Sequence, residues 1–157
     1  MGELKIHLSN KEMHLALIEI INQINNSDWT PDLILSVNRG GCVPGVYLSH
    51  MIQVPHKVVD VQLRDAQNHP NLEVLESGIK SYSNILIIDD INDTGATFNF
   101  IKMNTMVSGN KIKYACLIDN RSSDFIVDFS GKQIDKSKNP CWIVFPWERG
   151  VIPSERK

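Results

Sequence analysis

A length of 157 residues suits one domain with a full hydrophobic core, and 42% apolar with 22% charged residues is the composition of a soluble globular protein. A net charge of −2, with no block of about five or six basic residues, argues against bulk attraction to nucleic acid. No apolar run approaches the roughly 20 residues that span a bilayer, and "MGELKIHLSNKE" lacks the apolar core of a signal peptide. The cysteines Cys42, Cys116 and Cys141 are odd in number and lack metal-type spacing, which reads as free thiols in a reducing cytoplasm. The expectation is a cytoplasmic protein with neither a nucleic-acid nor a membrane partner.

In chain order, "SNKEMHLALIEIINQI" places Ser9 three residues before Glu12, a capping-box arrangement. Met13, Leu17, Ile20, Ile21 and Ile24 then recur at helical spacing. "DLILSV" is a short apolar strand ending at "NRGG", and "VPGVYLSHMI" carries apolar residues on one helical face. "HKVVDVQL" reads as a second β-branched strand. The polar stretch Arg64 to Ser83 has little periodicity and is long for a connection, so it is either a functional flap or a loosely ordered loop. "NILIID" is a third strand, "GATFNFIKMNTMV" an amphipathic helix, "KIKYACLI" a fourth strand and "CWIVFPW" a fifth. Nearly continuous apolar strands alternating with helices predict an α/β domain over residues 1–157, a parallel β-sheet flanked by helices on both faces.

In such a sheet, ligands bind beyond the carboxyl ends of the strands. "ILIIDDINDTGAT" lies there, with two adjacent carboxylates, a third Asp and a Thr-Gly-Ala-Thr turn into a helix. Asp89 and Asp90 repel each other unless they meet hydroxyl donors or a cation, and a sugar diol supplies the former. The Thr94–Thr97 turn offers hydroxyls, backbone N–H groups and a close approach at Gly95 and Ala96, which suits phosphate. Diol beside phosphate describes a ribose 5-phosphate. Three rivals compete. Asp93 as a simple helix cap explains one acid but not the preceding pair. A calcium loop would need an acid where Ile101 stands. The "DTGA" signature of aspartic proteases belongs to β-rich chains, whereas a helical pattern follows here.

"ILIIDDINDTGAT" resembles the signature of type I phosphoribosyltransferases, which bind 5-phosphoribosyl 1-diphosphate (PRPP). "SVNRGGCVPG" is similar to the pyrophosphate loop of the hypoxanthine and xanthine-guanine branch, and "CWIVFPWERG" to its base-binding segment. Their order and separations also match, so the resemblance spans roughly residues 30 to 150. It implies the fold of that family, with a small hood or flap region, and a magnesium-dependent transfer of phosphoribose from PRPP to a purine base.

Residue by residue, the resemblance implies that Asp89 and Asp90 hold the ribose hydroxyls, with Asp90 also near Mg2+. Asp93 sits under the reacting base as general base or charge stabiliser, and Thr94, Gly95, Ala96 and Thr97 wrap the 5-phosphate. Arg39 and Gly40 contact pyrophosphate, after an Asn38–Arg39 peptide of a kind often cis in this family. The flap would close over the site and exclude water. Trp142 stacks on the base, or else is core, while the Ile143 backbone reads the base edge. Glu148 assists through metal or water, or is a surface carboxylate; Trp147 packs. None of the five histidines is paired at ligand spacing.

Two positions depart from the purine branch. "LIDNRSS" holds Asp119, Asn120 and Arg121 where that branch has a base-contacting lysine, leaving Asn120, a donor and an acceptor, to read the base. Pro70 stands where the branch carries a flap arginine, and Arg64 is the arginine that could deputise. Two rival functions follow: a PRPP- or nucleotide-sensing regulator on the same fold, and a transferase for a non-purine acceptor. Related enzymes are often dimers or tetramers, so a homodimer or homotetramer is an expectation by analogy.

Overall fold

The structure is a computed structural model, and it describes residues 2–61, 70–106 and 108–148. Seven strands and four helices run in the order β1 (Leu4–His7), α1 (Asn10–Asn25), β2 (Leu33–Val37), α2 (Cys42–Ile52), β3 (His56–Val59), α3 (Glu73–Ser81), β4 (Asn84–Asn92), α4 (Ala96–Thr105), β5 (Lys111–Asn120), β6 (Phe129–Ile134) and β7 (Cys141–Val144). Strands β3-β2-β4-β5-β6 form one five-stranded sheet in that spatial order. Every pairing within it is parallel.

Alternation along the strands divides the core. Ile34, Leu86, Ile88 and Leu117 face the side covered by α1 and α2, where they meet Leu17, Ile20 and Leu48. Leu33, Leu35, Ile85 and Ile87 face the other side, against Leu75 of α3 and Phe98 and Ile101 of α4. With both faces covered, the strands need no polar face, which is why they read as continuous apolar runs. The capping box forms as expected: the Glu12 N–H donates to Ser9 Oγ at 3.1 Å and the Ser9 N–H to Glu12 Oε2 at 2.7 Å. Met13, Leu17, Ile20 and Ile24 are buried along α1.

The structure departs from the sequence reading in four places. Residues 73–81 of the expected flap are the helix α3, with Leu75 buried and Leu72, Val74 and Ile79 packed against the core. Leu72, Leu75 and Ile79 carry the helical spacing, masked by the polar residues between them. Arg64, and the rest of the expected flap up to residue 69, lie outside the described residues. The strand "CWIVFPW" does not extend the main sheet; β7 pairs in parallel with β1, Leu4 opposite Cys141 and Ile6 opposite Ile143. This small second sheet is the hood. The strand beside β5 is instead β6, whose residues are largely half-exposed and carry no apolar alternation. Gln23 of α1 serves that edge strand: its amide donates to the Ser130 carbonyl at 2.9 Å and accepts the Ser130 N–H at 3.0 Å. Finally, β4 continues past the expected end at Asp89 to Asn92. Among the described residues no helix is long and apolar enough to cross a membrane.

The order of the central strands locates the site. The chain steps from β2 outward to β3, then crosses back to place β4 on the other side of β2. Loops leaving β2 and β4 therefore diverge, and they open a crevice between the carboxyl ends of those two strands.

Candidate active site

That crevice is a cavity of about 990 Å³, lined by the loop after β2, the end of β4, the turn into α4, the loop after β6 and the hood. On the β2 side lie Asn38, Arg39 and Gly40. The Asn38–Arg39 peptide is cis, as the resemblance implied. Gly40 is required by contact: a Cβ there would occupy the position of the Asp90 carboxylate. Gly40 thus lies directly against the Asp90 side chain of β4, and a larger residue at position 40 would displace that carboxylate.

On the β4 side, Asp89 and Asp90 are half-buried within the strand and line the cavity. Asp89 Oδ1 accepts the Asp90 N–H at 2.8 Å, and Asp90 Oδ1 the Ile91 N–H at 2.7 Å. These bonds fix the side chains at the strand end. Thr94, Gly95, Ala96 and Thr97 follow along the cavity wall and open α4. Gly95 sits at φ 91° with its Cβ position 2.7 Å from the Phe125 backbone nitrogen, so both conformation and space demand glycine. Gly95 itself supplies no capping side chain, and at the start of α4 the Ala96 N–H donates to Thr94 Oγ1 at 3.3 Å. The first turn of α4 presents backbone donors and the positive end of the helix dipole to the cavity, a favourable place for an anion.

The turn is held from beneath. The Asp124 N–H donates to the Thr94 carbonyl at 3.0 Å, and buried Asn92 donates to Asp119 Oδ1 and to the Phe125 carbonyl at 2.9 and 2.8 Å. The hood supplies Trp142, 43% exposed, and buried Ile143. Phe145 and Trp147 stack beside them, 4.9 Å apart and within 7° of parallel. Glu148 accepts the Phe145 N–H at 2.8 Å and so closes its own turn while lining the cavity.

Every expected site residue except one lines this cavity. Asn120 lies beneath it, 5% exposed, with its amide already engaged. Its Nδ2 donates to the Asp93 carbonyl at 2.9 Å. Its Oδ1 accepts from the Ser122 N–H, the Ser122 hydroxyl and the Lys136 N–H at 3.3, 2.9 and 3.0 Å. With these partners Asn120 is a junction between loops, where the sequence reading expected its side chain at the base edge. The residue that sequence reasoning missed is Lys136. Its ammonium enters the cavity and lies 3.1 Å from both Asp93 carboxylate oxygens. It belongs to a polar loop with no motif, and nothing local in "IDKSKNP" marks it.

Neither cysteine near the site is set up as a nucleophile. Burial, reinforced by Asp89 and Asp60, raises the Cys42 thiol above its ordinary value. Burial, with Asp119 foremost among the nearby acids, raises Cys116 much further. Among the described residues no three His, Cys, Asp or Glu side chains cluster closely enough to hold a metal. The hard oxygen donors of Asp89 and Asp90 suit a magnesium that completes its shell with water and substrate oxygens.

A family model described as a phosphoribosyl transferase domain matches residues 5–151. Among solved structures, a purine phosphoribosyltransferase from Pyrococcus horikoshii is 26% identical with a TM-score of 0.71, over 94% of this chain and 97% of that one. A xanthine-guanine-hypoxanthine phosphoribosyltransferase from Helicobacter pylori shares the fold at 20% identity and a TM-score of 0.74, covering 94% and 95%. So does a hypothetical protein from Neisseria gonorrhoeae with bound ppGpp, at 18% identity and a TM-score of 0.78, covering 97% and 93%.

Proposed function

Because this chain belongs to the phosphoribosyl transferase family, we propose that it transfers the 5-phosphoribosyl group of PRPP to a purine base of the hypoxanthine, guanine or xanthine kind, releasing pyrophosphate. The observation that carries the reading is the meeting, in one cavity, of the loop at Arg39, the Asp89–Asp90 pair and the start of α4. In this reading the two carboxylates accept the ribose hydroxyls and the Thr94–Thr97 turn binds the 5-phosphate. Those two anchors orient the reacting carbon toward the hood, where Trp142 stacks on the base and the Ile143 backbone meets its edge. Arg39 and the Gly40 backbone face the pyrophosphate. The carbon–oxygen bond breaks with its electron pair leaving on pyrophosphate, and a ring nitrogen of the base takes its place. Asp93 stabilises the positive charge that develops and accepts the proton the base gives up.

Magnesium would be held by Asp90, with Asp89 beside it and diphosphate oxygens completing the shell; when bound, it neutralises charge on the departing group. The Pyrococcus horikoshii enzyme, similar over nearly its whole length, supports a purine acceptor. A second reading, a nucleotide-sensing protein, draws support from the Neisseria gonorrhoeae neighbour with bound ppGpp.

A panel of purine, pyrimidine and pyridine bases, incubated with PRPP and magnesium while pyrophosphate release is followed, separates these readings. Release with 6-oxopurines is expected. Release only with a pyrimidine or pyridine acceptor removes the purine half. No release with any base, together with saturable binding of ppGpp, replaces the enzyme by the sensor.

A further inference from the structure

We propose that Asn92 is a positioning residue: its side-chain amide fixes the segment Asp119–Phe125, on which the Thr94–Thr97 turn rests, and so sets the hold of that turn on a sugar 5-phosphate. This rests on the phosphoribosyltransferase reading above and names what keeps its phosphate subsite in shape.

Asn92 is the last residue of β4, paired in register with Asp119 of β5 and buried to 2% exposure. A buried amide costs stability unless its donors and its acceptor are met, and here all are. Its Nδ2 donates to Asp119 Oδ1 at 2.9 Å and to the Phe125 carbonyl at 2.8 Å. Its Oδ1 accepts the Ser123 hydroxyl at 2.9 Å. The Asp119 carboxylate and the Phe125 carbonyl only accept, so the amide has one orientation that satisfies all three partners. One side chain thus gathers three residues of a single segment that lies 27 to 33 positions further along the chain.

The same segment carries the turn. The Asp124 N–H donates to the Thr94 carbonyl at 3.0 Å. Gly95 packs so closely that its Cβ position lies 2.7 Å from the Phe125 backbone nitrogen and 2.8 Å from Ser123 Oγ. Residues 123–125 therefore meet both Asn92 and the turn, and a shift of the segment shifts the backbone N–H groups that would face a phosphate. Such groups bind an anion only while they converge on it. The loop at Arg39 meets β4 elsewhere, with Gly40 against the Asp90 side chain and Gly41 against the Ile88 carbonyl. A ligand of that loop is thus an internal reference. Asn92→Asp keeps the side-chain shape and the acceptor for Ser123, but it sets a second carboxylate against Asp119 and leaves the Phe125 carbonyl without its donor. Adding Asp119→Asn restores the pair, with the donor now on β5.

The test titrates ribose 5-phosphate and magnesium pyrophosphate by calorimetry into the wild type, Asn92→Asp, the Asn92→Asp/Asp119→Asn double variant and Ser123→Ala. The melting temperature of each is measured alongside. Asn92→Asp should weaken ribose 5-phosphate about 10-fold, and the double variant should recover to within about 3-fold of the wild type. Ser123→Ala, the milder change, reads the same link from the loop and should weaken ribose 5-phosphate about 3-fold even if Asn92→Asp fails to fold. Magnesium pyrophosphate affinity should stay level throughout. The proposal is overturned if the wild type does not bind ribose 5-phosphate, if Asn92→Asp or Ser123→Ala folds and keeps the wild-type affinity, or if the folded double variant recovers nothing. It is also overturned if both ligands weaken together in step with the melting temperature, which is what a purely structural amide would give. If ribose 5-phosphate binding depends on Asn92 while no base turns over with PRPP, the transferase reading falls and the positioning role stands. If bases turn over and ribose 5-phosphate binding ignores Asn92, the reverse holds.

Discussion

Asp93 is gripped at two points by two different segments, its carboxylate by Lys136 and its carbonyl by Asn120. That grip separates what a change of charge does from what a change of shape does. Asp93→Asn keeps the side-chain volume and the backbone bond to Asn120 but removes the negative charge opposite the cationic transition state. Turnover should fall by about 100-fold or more, while PRPP affinity holds, because the ribose and phosphate anchors are other residues. Equal losses in kcat and PRPP affinity would show that Asp93 only holds the loop. The β2 and β4 sides of this cavity were legible in the sequence because their residues are local: Asp89 to Thr97 is one continuous stretch, and Arg39–Gly40 another. The hood side was legible only in part, since Trp142 and Ile143 line the cavity as expected while Lys136 was missed. Lys136 reaches Asp93 only through a fold that brings together residues far apart in sequence, and Asn120, isolated in its motif, could not reveal that its amide is spent on that junction.

Elements with a strong local signal, α1 and the apolar strands β2, β3, β4 and β5, were read correctly, whereas α3, β1 and β6, whose local signal is weak, were not. The Ser9–Glu12 box and the apolar repeat behind it specify α1 from within. In contrast, β6 exists because β5 pairs with it and the Gln23 amide covers Ser130 on its edge, and β1 because β7 lies beside it. The helix α3 is the instructive case, since its polar surface outweighed its three apolar positions in the reading of a flap. Its place in the core gives a measurable distinction. Leu75 is 1% exposed between α3 and the sheet, so Leu75→Ala should cost about 2–5 kcal/mol of folding stability, as other buried leucines do. Urea denaturation measures this. A loss well below that range would mean that residues 73–81 contribute little to the core and that the flap reading was nearer the truth.

For the molecule as a whole, the parallel sheet and its strand order decide where chemistry can occur. The crossing from β3 back over β2 to β4 leaves a crevice where the acids, the Thr94–Thr97 turn and the loop at Arg39 leave adjacent strands, while the hood closes it from the side. The cavity is lined by residues of β2, β4, the start of α4 and the β1–β7 sheet, so a ligand that fills it would stabilise the whole fold rather than one loop. A ligand at roughly 100 times its dissociation constant adds about 2.7 kcal/mol. For a chain of this size each kcal/mol raises the melting temperature by about 2–4 °C. PRPP with magnesium should therefore raise Tm by about 5–10 °C. With a chelator in place of the metal the rise should shrink sharply, because the carboxylates of Asp89 and Asp90 would then face the negative diphosphate without a cation between them. Differential scanning fluorimetry with PRPP alone, magnesium alone and both together makes the comparison. A full shift with PRPP and chelator would show that Arg39 and the Gly40 backbone suffice to hold the diphosphate, and would remove magnesium from the binding step.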